Sequence, residues 1–188
     1  MAYIIGHNIL SPLGNTSTAN YKAVKEGQSA LAVYPAGSRG VPEAFCASLF
    51  SEAQNEDIAV SGLTLFESSI AVSAAKAITG SGISVADGKT VLILSTTKGN
   101  TNLTSPADSA RRIAKYLNIP AEPIVVCNAC ISGLAAVVLG KRLIEAGAYD
   151  YAVVCGADRQ GKFIISGFQS LKALSPEECR PFDIERLG

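Results

Sequence analysis

Three short runs of the chain are apolar at nearly every position, and each leads directly into polar or small residues. They lie at 91–94, 123–127 and 151–155. A run that is apolar on both faces is typical of a strand buried in a parallel sheet. A β-favouring run at 3–10 ends in a Ser-Pro-Leu-Gly turn and predicts a further strand. Residues 161–175 are expected to form a loop that could include a helix.

Between these runs, apolar residues recur at intervals of three and four, which is the spacing of a helix that lies on a sheet. The pattern predicts helices at 65–78, 106–117 and 130–146, and polar capping residues predict another at 15–26. The segment 28–61 has no sustained period and is expected to be a surface excursion. Strands that alternate with helices predict an α/β fold with a mostly parallel sheet and helices on both faces.

Composition and charge remove several classes of function. The 188 residues include sixteen basic and sixteen acidic side chains, so the formal net charge is zero. A balanced charge lacks the basic surface of a protein that binds nucleic acid or anionic membranes. No stretch approaches the roughly 18 apolar residues of a membrane span, and the first residues lack the charged region of a signal peptide. We therefore expect a cytoplasmic protein that binds neither nucleic acid nor membranes.

Five cysteines occur in the chain, at Cys46, Cys127, Cys130, Cys155 and Cys179. An odd number of cysteines in a chain large enough to bury an apolar core indicates reduced thiols rather than a disulfide framework.

Cys130 stands where a predicted strand turns into a helix within two or three residues. A thiol at the start of a helix lies near unpaired backbone N–H groups and the positive end of the helix dipole, which favour the thiolate. Such a turn also directs the residue's own N–H toward a bound carbonyl oxygen. The small residues that follow allow this helix to pack closely inside the fold. The pattern predicts a nucleophile that forms a thioester.

Two other interpretations of the cysteines stay open. A cysteine is often an inert core residue, and we assign Cys127, Cys155 and Cys179 to that class. Cys127 and Cys130 also form a Cys-x-x-Cys pair between a strand and a helix, which is the arrangement of thiol–disulfide proteins. This second interpretation is disfavoured because Cys127 is expected to end a buried strand. One such pair cannot supply four zinc ligands, and neither a metal nor any other cofactor is expected.

Five segments, in order, resemble β-ketoacyl-acyl-carrier-protein synthases of the thiolase superfamily. The first strand with its Ser-Pro-Leu-Gly turn, within 3–15, is similar to the opening of these enzymes. Residues 129–133 resemble their nucleophile turn, in which a small residue is followed by Cys, any residue, Ser and Gly. The remaining similar segments are the strand 152–158, the loop 167–175 and the Arg-Pro-Phe-Asp segment 180–183.

The resemblance implies a thiolase-like fold, with residues 1–188 as the N-terminal βαβαβαββ half of a β-ketoacyl synthase. It implies an acyltransferase of fatty-acid or polyketide assembly, in which Cys130 accepts an acyl chain from a carrier-protein thioester for condensation with a malonyl thioester. The histidines that assist decarboxylation belong to the family's second half, so this chain alone is expected to be inactive. The alternative is a non-catalytic partner subunit or fragment of a synthase.

Three further residues are candidates for substrate binding. Thr96 ends a predicted strand at the carboxyl edge of the sheet, where sites form. Phe168 lies in a loop similar to that of the family, and Lys172 stands where related enzymes often carry a basic residue that meets an acidic carrier protein. The charged residues of 180–186 are instead expected to form a local ion-pair network.

The resemblance also implies an assembly. In the family, the strand before the nucleophile lies at the sheet edge and pairs with its twin across a two-fold axis, which here is the segment from Pro123 to Cys127. The expected partners are thus a second copy of the protein and an acyl carrier protein with phosphopantetheine-linked substrates. The sheet face that should stack on the second half is expected to leave an exposed apolar patch.

Overall fold

The computed structural model describes residues 1–100 and 104–187. Its helices are α1 Ser17–Lys25, α2 Glu52–Ile58, α3 Leu65–Ser81, α4 Pro106–Tyr116, α5 Ser132–Glu145 and α6 Lys162–Ser170. Its strands are β1 Ala32–Tyr34, β2 Phe45–Ala47, β3 Thr90–Ser95, β4 Ile124–Val126 and β5 Tyr151–Gly156. Within these ranges, no helix combines the length and the apolar character that crossing a membrane requires.

The main sheet has three parallel strands in the order β4-β3-β5. Ile93 aligns with Ile124 on one side of β3 and with Val154 on the other. All six residues of β3 are buried, as expected of a central strand that is covered on both faces. The prediction of an α/β fold with a parallel sheet is therefore confirmed.

Helices pack on both faces of this sheet, because successive side chains of β3 point to opposite sides. Leu92 and Leu94 face α3 and α4, where they join a buried cluster that includes Phe66 and Ile113. Val91 and Ile93 face α5 and pack around Ala136. The prediction of helices on both faces is confirmed.

The longest helix, α3, is bounded by a capping residue at each end. The Thr64 side chain accepts a hydrogen bond from the backbone N–H of Glu67, and the Glu67 carboxylate accepts one from the Thr64 N–H, which together form a capping box. At the other end, Gly82 has a φ of +71°, a left-handed conformation that a glycine adopts without strain. The helix therefore extends three residues beyond the predicted end at Ile78.

The prediction of a strand at 3–10 is wrong. No backbone ladder joins this segment to another part of the described chain, and the side chains of Tyr3 and Ile4 are exposed. The segment lies along α3 instead, where Asn8 Nδ2 donates a hydrogen bond to Ser73 Oγ at 2.9 Å. A β-favouring run forms a strand only when a neighbouring strand supplies its backbone partners.

The segment 28–61 is more ordered than the sequence predicts. It contains α2 and an antiparallel pair, β1 with β2, in which Val33 aligns with Cys46. Val41, Phe45 and Ala47 are buried in a second small core together with Ile165 of α6. The expectation of a surface excursion is therefore wrong, because short strands with irregular turns show no sustained apolar period.

Residues 180–186 form the expected local network. Arg180 pairs with Asp183 at 3.4 Å and with Glu177 at 3.0 Å. Arg186 Nη1 donates to the backbone carbonyl of Asp183 at 3.0 Å rather than to its carboxylate. These contacts are exposed, so they hold the local conformation of the segment but contribute little to the free energy of folding.

Candidate active site

The carboxyl ends of the three parallel strands meet at one edge of the main sheet. The N–H of Thr96, just after β3, donates to the carbonyl of Val126 at 3.2 Å. The N–H of Ala157, just after β5, donates to the carbonyl of Ser95 at 3.2 Å. The segments that follow the strands therefore lie side by side, at the edge where α/β proteins bind ligands.

Cys130 lies at this edge, in a single 3₁₀ turn, Ala129–Ile131, that joins β4 to α5. Its side chain is exposed. The preceding residue, Ala129, has a φ of +45°, a left-handed conformation that is unfavourable for a residue with a Cβ atom. The chain thus turns sharply from strand to helix and presents the thiol beside the positive end of α5.

Ser132, the first residue of α5, closes the turn through its hydroxyl group. Its Oγ donates a hydrogen bond to the carbonyl of Ala129 at 2.7 Å and accepts one from the N–H of Asn128 at 2.8 Å. The N–H of Ile131 also donates to the carbonyl of Asn128 at 3.2 Å. The backbone on either side of Cys130 is therefore held within the turn itself.

Gly140 seats the rest of α5 closely on the sheet. A Cβ atom at this position would lie 3.2 Å from Ala152 Cβ, 3.3 Å from Val154 Cγ2 and 3.4 Å from Ile93 Cδ1. These distances are shorter than ordinary carbon contacts, so a glycine allows the helix to approach the strands. The prediction that small residues let this helix pack closely holds at Gly140.

An aspartate that the sequence analysis did not single out organises the loop after β3. The Asp158 carboxylate accepts from Thr96 Oγ1 at 2.8 Å, from the Thr97 N–H at 3.0 Å and from Thr97 Oγ1 at 2.9 Å. The Lys98 N–H donates to the same carboxylate at 3.2 Å. Its position after β5, at the same edge as Thr96, was the signal that could have found it.

The hydroxyl of Thr96 both donates and accepts a hydrogen bond in this loop. Besides donating to Asp158, its Oγ1 accepts from the Gly99 N–H at 2.8 Å, and the residue is 2% exposed. These bonds support a role in shaping the loop beside the site. Direct contact of Thr96 with a substrate stays a prediction.

The other two candidate residues lie on or after α6. Phe168 is half exposed on the helix. Lys172 is exposed in the following turn, with a φ of +53° and an N–H that donates to the Gln169 carbonyl at 2.8 Å. Among the described residues, no hydrogen bond or ion pair joins either side chain to Cys130 or Thr96. Their contact with a substrate stays a prediction.

The thiols differ in their surroundings. Cys127 is exposed, and its Sγ lies 3.7 Å from the carbonyl of Thr97, so the expectation that it ends a buried strand is wrong. Strand β4 ends one residue earlier, at Val126, and the chain then turns. Cys155 is half-buried against the core, and burial raises the pKa of its thiol to about 12. Among the described residues, no three side chains of His, Cys, Asp or Glu are grouped as a metal site.

Comparison with known protein families identifies the family of the chain. The family described as "Beta-ketoacyl synthase, N-terminal domain" matches residues 44–188. The chain therefore belongs to this family, and the predicted family is confirmed. Nodulation protein E of Rhizobium leguminosarum bv. trifolii is 26% identical to this chain over 84 residues, which cover 44% of the chain and 21% of that protein.

Solved structures of ketosynthases share the fold. A β-ketoacyl synthase from Burkholderia phymatum has a TM-score of 0.80 with 19% identity, over 98% of this chain and 55% of that one. The ishigamide ketosynthase/chain length factor has a TM-score of 0.78 with 20% identity, over 98% and 54%. A ketosynthase from Xenorhabdus doucetiae, solved in complex with its chain length factor, has a TM-score of 0.73 with 24% identity, over 99% and 54%. The thiolase-like fold is confirmed, and the chain spans about half the length of these structures.

Proposed function

We propose that this chain supplies the nucleophile of a condensing acyltransferase of fatty-acid or polyketide assembly. The Cys130 thiolate attacks the carbonyl carbon of an acyl thioester on a carrier protein, and the carrier's sulfur leaves and takes up a proton. The observation that supports this assignment most is the position of Cys130. It is exposed at a strand-to-helix turn on the carboxyl edge of the sheet.

The second half-reaction is a decarboxylative condensation. A malonyl thioester loses carbon dioxide, and the resulting enolate attacks the acyl carbon on Cys130, which releases the thiolate. Stabilising the enolate requires donors directed at its oxygen. The single histidine of this chain, His7, is exposed and lies 2.9 Å from Ser17 Oγ through its Nδ1. We infer that the donors come from residues outside this sequence, so that these 188 residues alone accept an acyl group without completing the condensation.

A thiol–disulfide function is the second candidate, because Cys127 and Cys130 are both exposed and three residues apart. A non-catalytic partner subunit is a third interpretation, which the presence of an exposed Cys130 disfavours. These candidates differ in the number of thiols they need. Acyl transfer needs Cys130 alone, a disulfide needs both cysteines, and a non-catalytic partner needs neither.

Acylation by a carrier-protein thioester tests the three candidates together. Intact mass spectrometry should show one added acyl group, and peptide mapping should place it on Cys130. The Cys127→Ala variant should be acylated like the unmodified chain, whereas Cys130→Ala should not be acylated. Equal loss of acylation in both variants would contradict an acyl transfer that needs Cys130 alone. No acylation of the unmodified chain, with its fold intact by circular dichroism, would contradict the proposal.

We also propose that the intact protein is a dimer that pairs through β4 and its flanking residues, 123–127. Strand β4 lies at one edge of the main sheet and its three residues are only half-buried, so its outer backbone groups are available for pairing. Light scattering after size-exclusion chromatography measures the assembly. A stable monomer at 19.5 kDa would contradict pairing through this strand in the purified chain.

Lys172 is the proposed contact for the acidic carrier protein, because it is exposed in the turn after α6. Reversing its charge in Lys172→Glu should weaken carrier binding. The loss should become smaller as salt is added, since screening reduces the electrostatic contribution. Acylation from a small pantetheine thioester should stay unchanged. Equal losses with both acyl donors would exclude a carrier-specific role.

A further inference from the structure

The hydroxyl of Ser132 points away from the helix that it begins. A serine at a helix start ordinarily accepts a hydrogen bond from an N–H in the first turn of that helix. In α5 the N-cap position is occupied by Ile131, so no side-chain hydrogen bond caps the start of this helix. Ser132 Oγ bonds backward instead, to the N–H of Asn128 and the carbonyl of Ala129. Its bonding therefore serves the turn rather than the helix.

The turn needs such support because Ala129 is held in an unfavourable conformation. A residue with a Cβ atom at a φ of +45° tends to return to negative φ unless its neighbours prevent it. That return would rotate the peptide group that precedes Cys130. Ser132 is 3% exposed, so water has little access to replace its two hydrogen bonds.

We propose that Ser132 is a positioning residue that fixes Cys130 in the turn just before α5. The buried hydroxyl of Ser132 bonds the backbone of Asn128 and Ala129 and thus closes a loop of five residues, 128–132, around the thiol. The inference rests on the proposed function, in which Cys130 is the nucleophile. It adds that the reactivity of Cys130 depends on a side chain whose hydrogen bonds go to the backbone of the turn rather than to the thiol.

The test measures alkylation of Cys130 by iodoacetamide in the full chain. Cys179, which is exposed in the C-terminal segment, serves as the reference thiol in the same molecule. In Ser132→Ala, the rate ratio of Cys130 to Cys179 should fall by about tenfold, because the thiol leaves the field of the helix start. Ser132→Thr keeps the hydroxyl and should retain the ratio to within about threefold.

Two further variants separate positioning from a general loss of packing. Ser68→Ala removes another buried serine hydroxyl, which accepts from the Val60 N–H at 3.1 Å in a different part of the fold, and should leave the ratio unchanged. Ala129→Gly in the Ser132→Ala background should restore much of the lost reactivity, because glycine adopts a positive φ without strain.

The outcomes distinguish the two proposals. If Cys130 in the unmodified chain reacts no faster than Cys127, the proposed function is contradicted. If Cys130 does react faster but Ser132→Ala leaves its ratio unchanged, or Ser132→Thr loses as much as Ser132→Ala, the positioning role of Ser132 is overturned. Equal alkylation of all the cysteines would reveal that Ser132→Ala is unfolded. In that case Ser132→Thr decides: a retained rate ratio supports the positioning role, and a lost rate ratio overturns that role.

Discussion

The two faces of the main sheet share the same three strands but are covered very differently. On one face, α3 and α4 enclose Leu92 and Leu94 in a cluster that excludes water. On the other, only the inner side of α5 is buried, around Ala136. The outer side of α5 and the turn before it expose four large apolar side chains, those of Ile131, Leu134, Val137 and Val138.

This difference separates two kinds of apolar residue. Those on the α3–α4 face stabilise the fold, because their transfer from water is nearly complete. Those on the outer side of α5 remain in water and contribute little to the stability of this chain. The helix that follows Cys130, α5, therefore has an exposed apolar surface that is not needed to stabilise the fold of this chain.

The largest expected effect compares two leucines, one from each side. Leu92 is fully buried on the α3–α4 face, whereas Leu134 on α5 is 68% exposed. Leu92→Ala should lower the free energy of unfolding by about 3 kcal/mol, since it leaves a cavity in a closed core. Leu134→Ala should change it by less than about 0.5 kcal/mol. Urea unfolding of both variants measures the difference, and similar losses would show that α5 is covered in solution.

The next effect tests how α5 is seated on its face. Gly140→Leu places a side chain where even an added Cβ atom would lie within 3.4 Å of three neighbouring side chains. We expect a loss of about 2 kcal/mol in the free energy of unfolding, because the helix must move away from the sheet.

The matched control for this variant is a glycine in α3. Gly80→Leu adds the same side chain at a helical position with nothing within 4 Å of the added Cβ. It should be neutral or stabilise the chain by up to about 1 kcal/mol through helix propensity. If thermal denaturation showed the same loss for both variants, close packing at Gly140 would not be the cause.

The smallest effect concerns the thiol on the covered face. Burial raises the pKa of Cys155 from 9.0 to about 12. Above pH 9 the unfolded chain ionises this thiol while the folded chain keeps its proton, so the folded state binds more protons and loses stability as pH rises toward 12. Relative to Cys155→Ala, the unmodified chain should lose up to about 1 kcal/mol by pH 10.

Thermal denaturation of both chains at pH 8 and pH 10 measures this difference and cancels the contribution of other titrating groups. Parallel losses in the two chains would mean that the Cys155 thiol is not protected by the core. That result would weaken the contrast between the two faces.

The main sheet could be predicted from sequence because a strand covered on both faces is continuously apolar, as β3 is. The turn at Cys130 could be predicted because strand and helix patterns meet there. The sequence places Asp158 at the same sheet edge as Thr96, but the hydrogen bond between them could not be predicted, since it joins residues 62 positions apart and depends on the order of strands in the sheet. The residue pattern of a single segment does not predict which distant residues it will contact.

Two errors have the same origin in tertiary structure. The apolar pattern at 3–10 is compatible with a strand, yet whether a strand forms depends on a partner elsewhere. The exposure of Cys127 depends on where β4 ends, and the last ladder partners, Ser95 and Val126, set that point. Residue patterns predict whether a segment is a strand or a helix, but they define the last residue of a short edge strand only to within one or two positions.

The segment 3–10 has a consequence for the dynamics of the chain. Its large apolar side chains are mostly exposed, and its hydrogen bonds run through side chains, those of Asn8 to Ser73 and of Asn20 to the Ile9 carbonyl, with no backbone ladder in the described chain. A segment with few buried apolar contacts detaches without opening the core. Its backbone amides should therefore exchange with solvent deuterium through local opening, orders of magnitude faster than those of β3, which exchange only when the whole sheet unfolds.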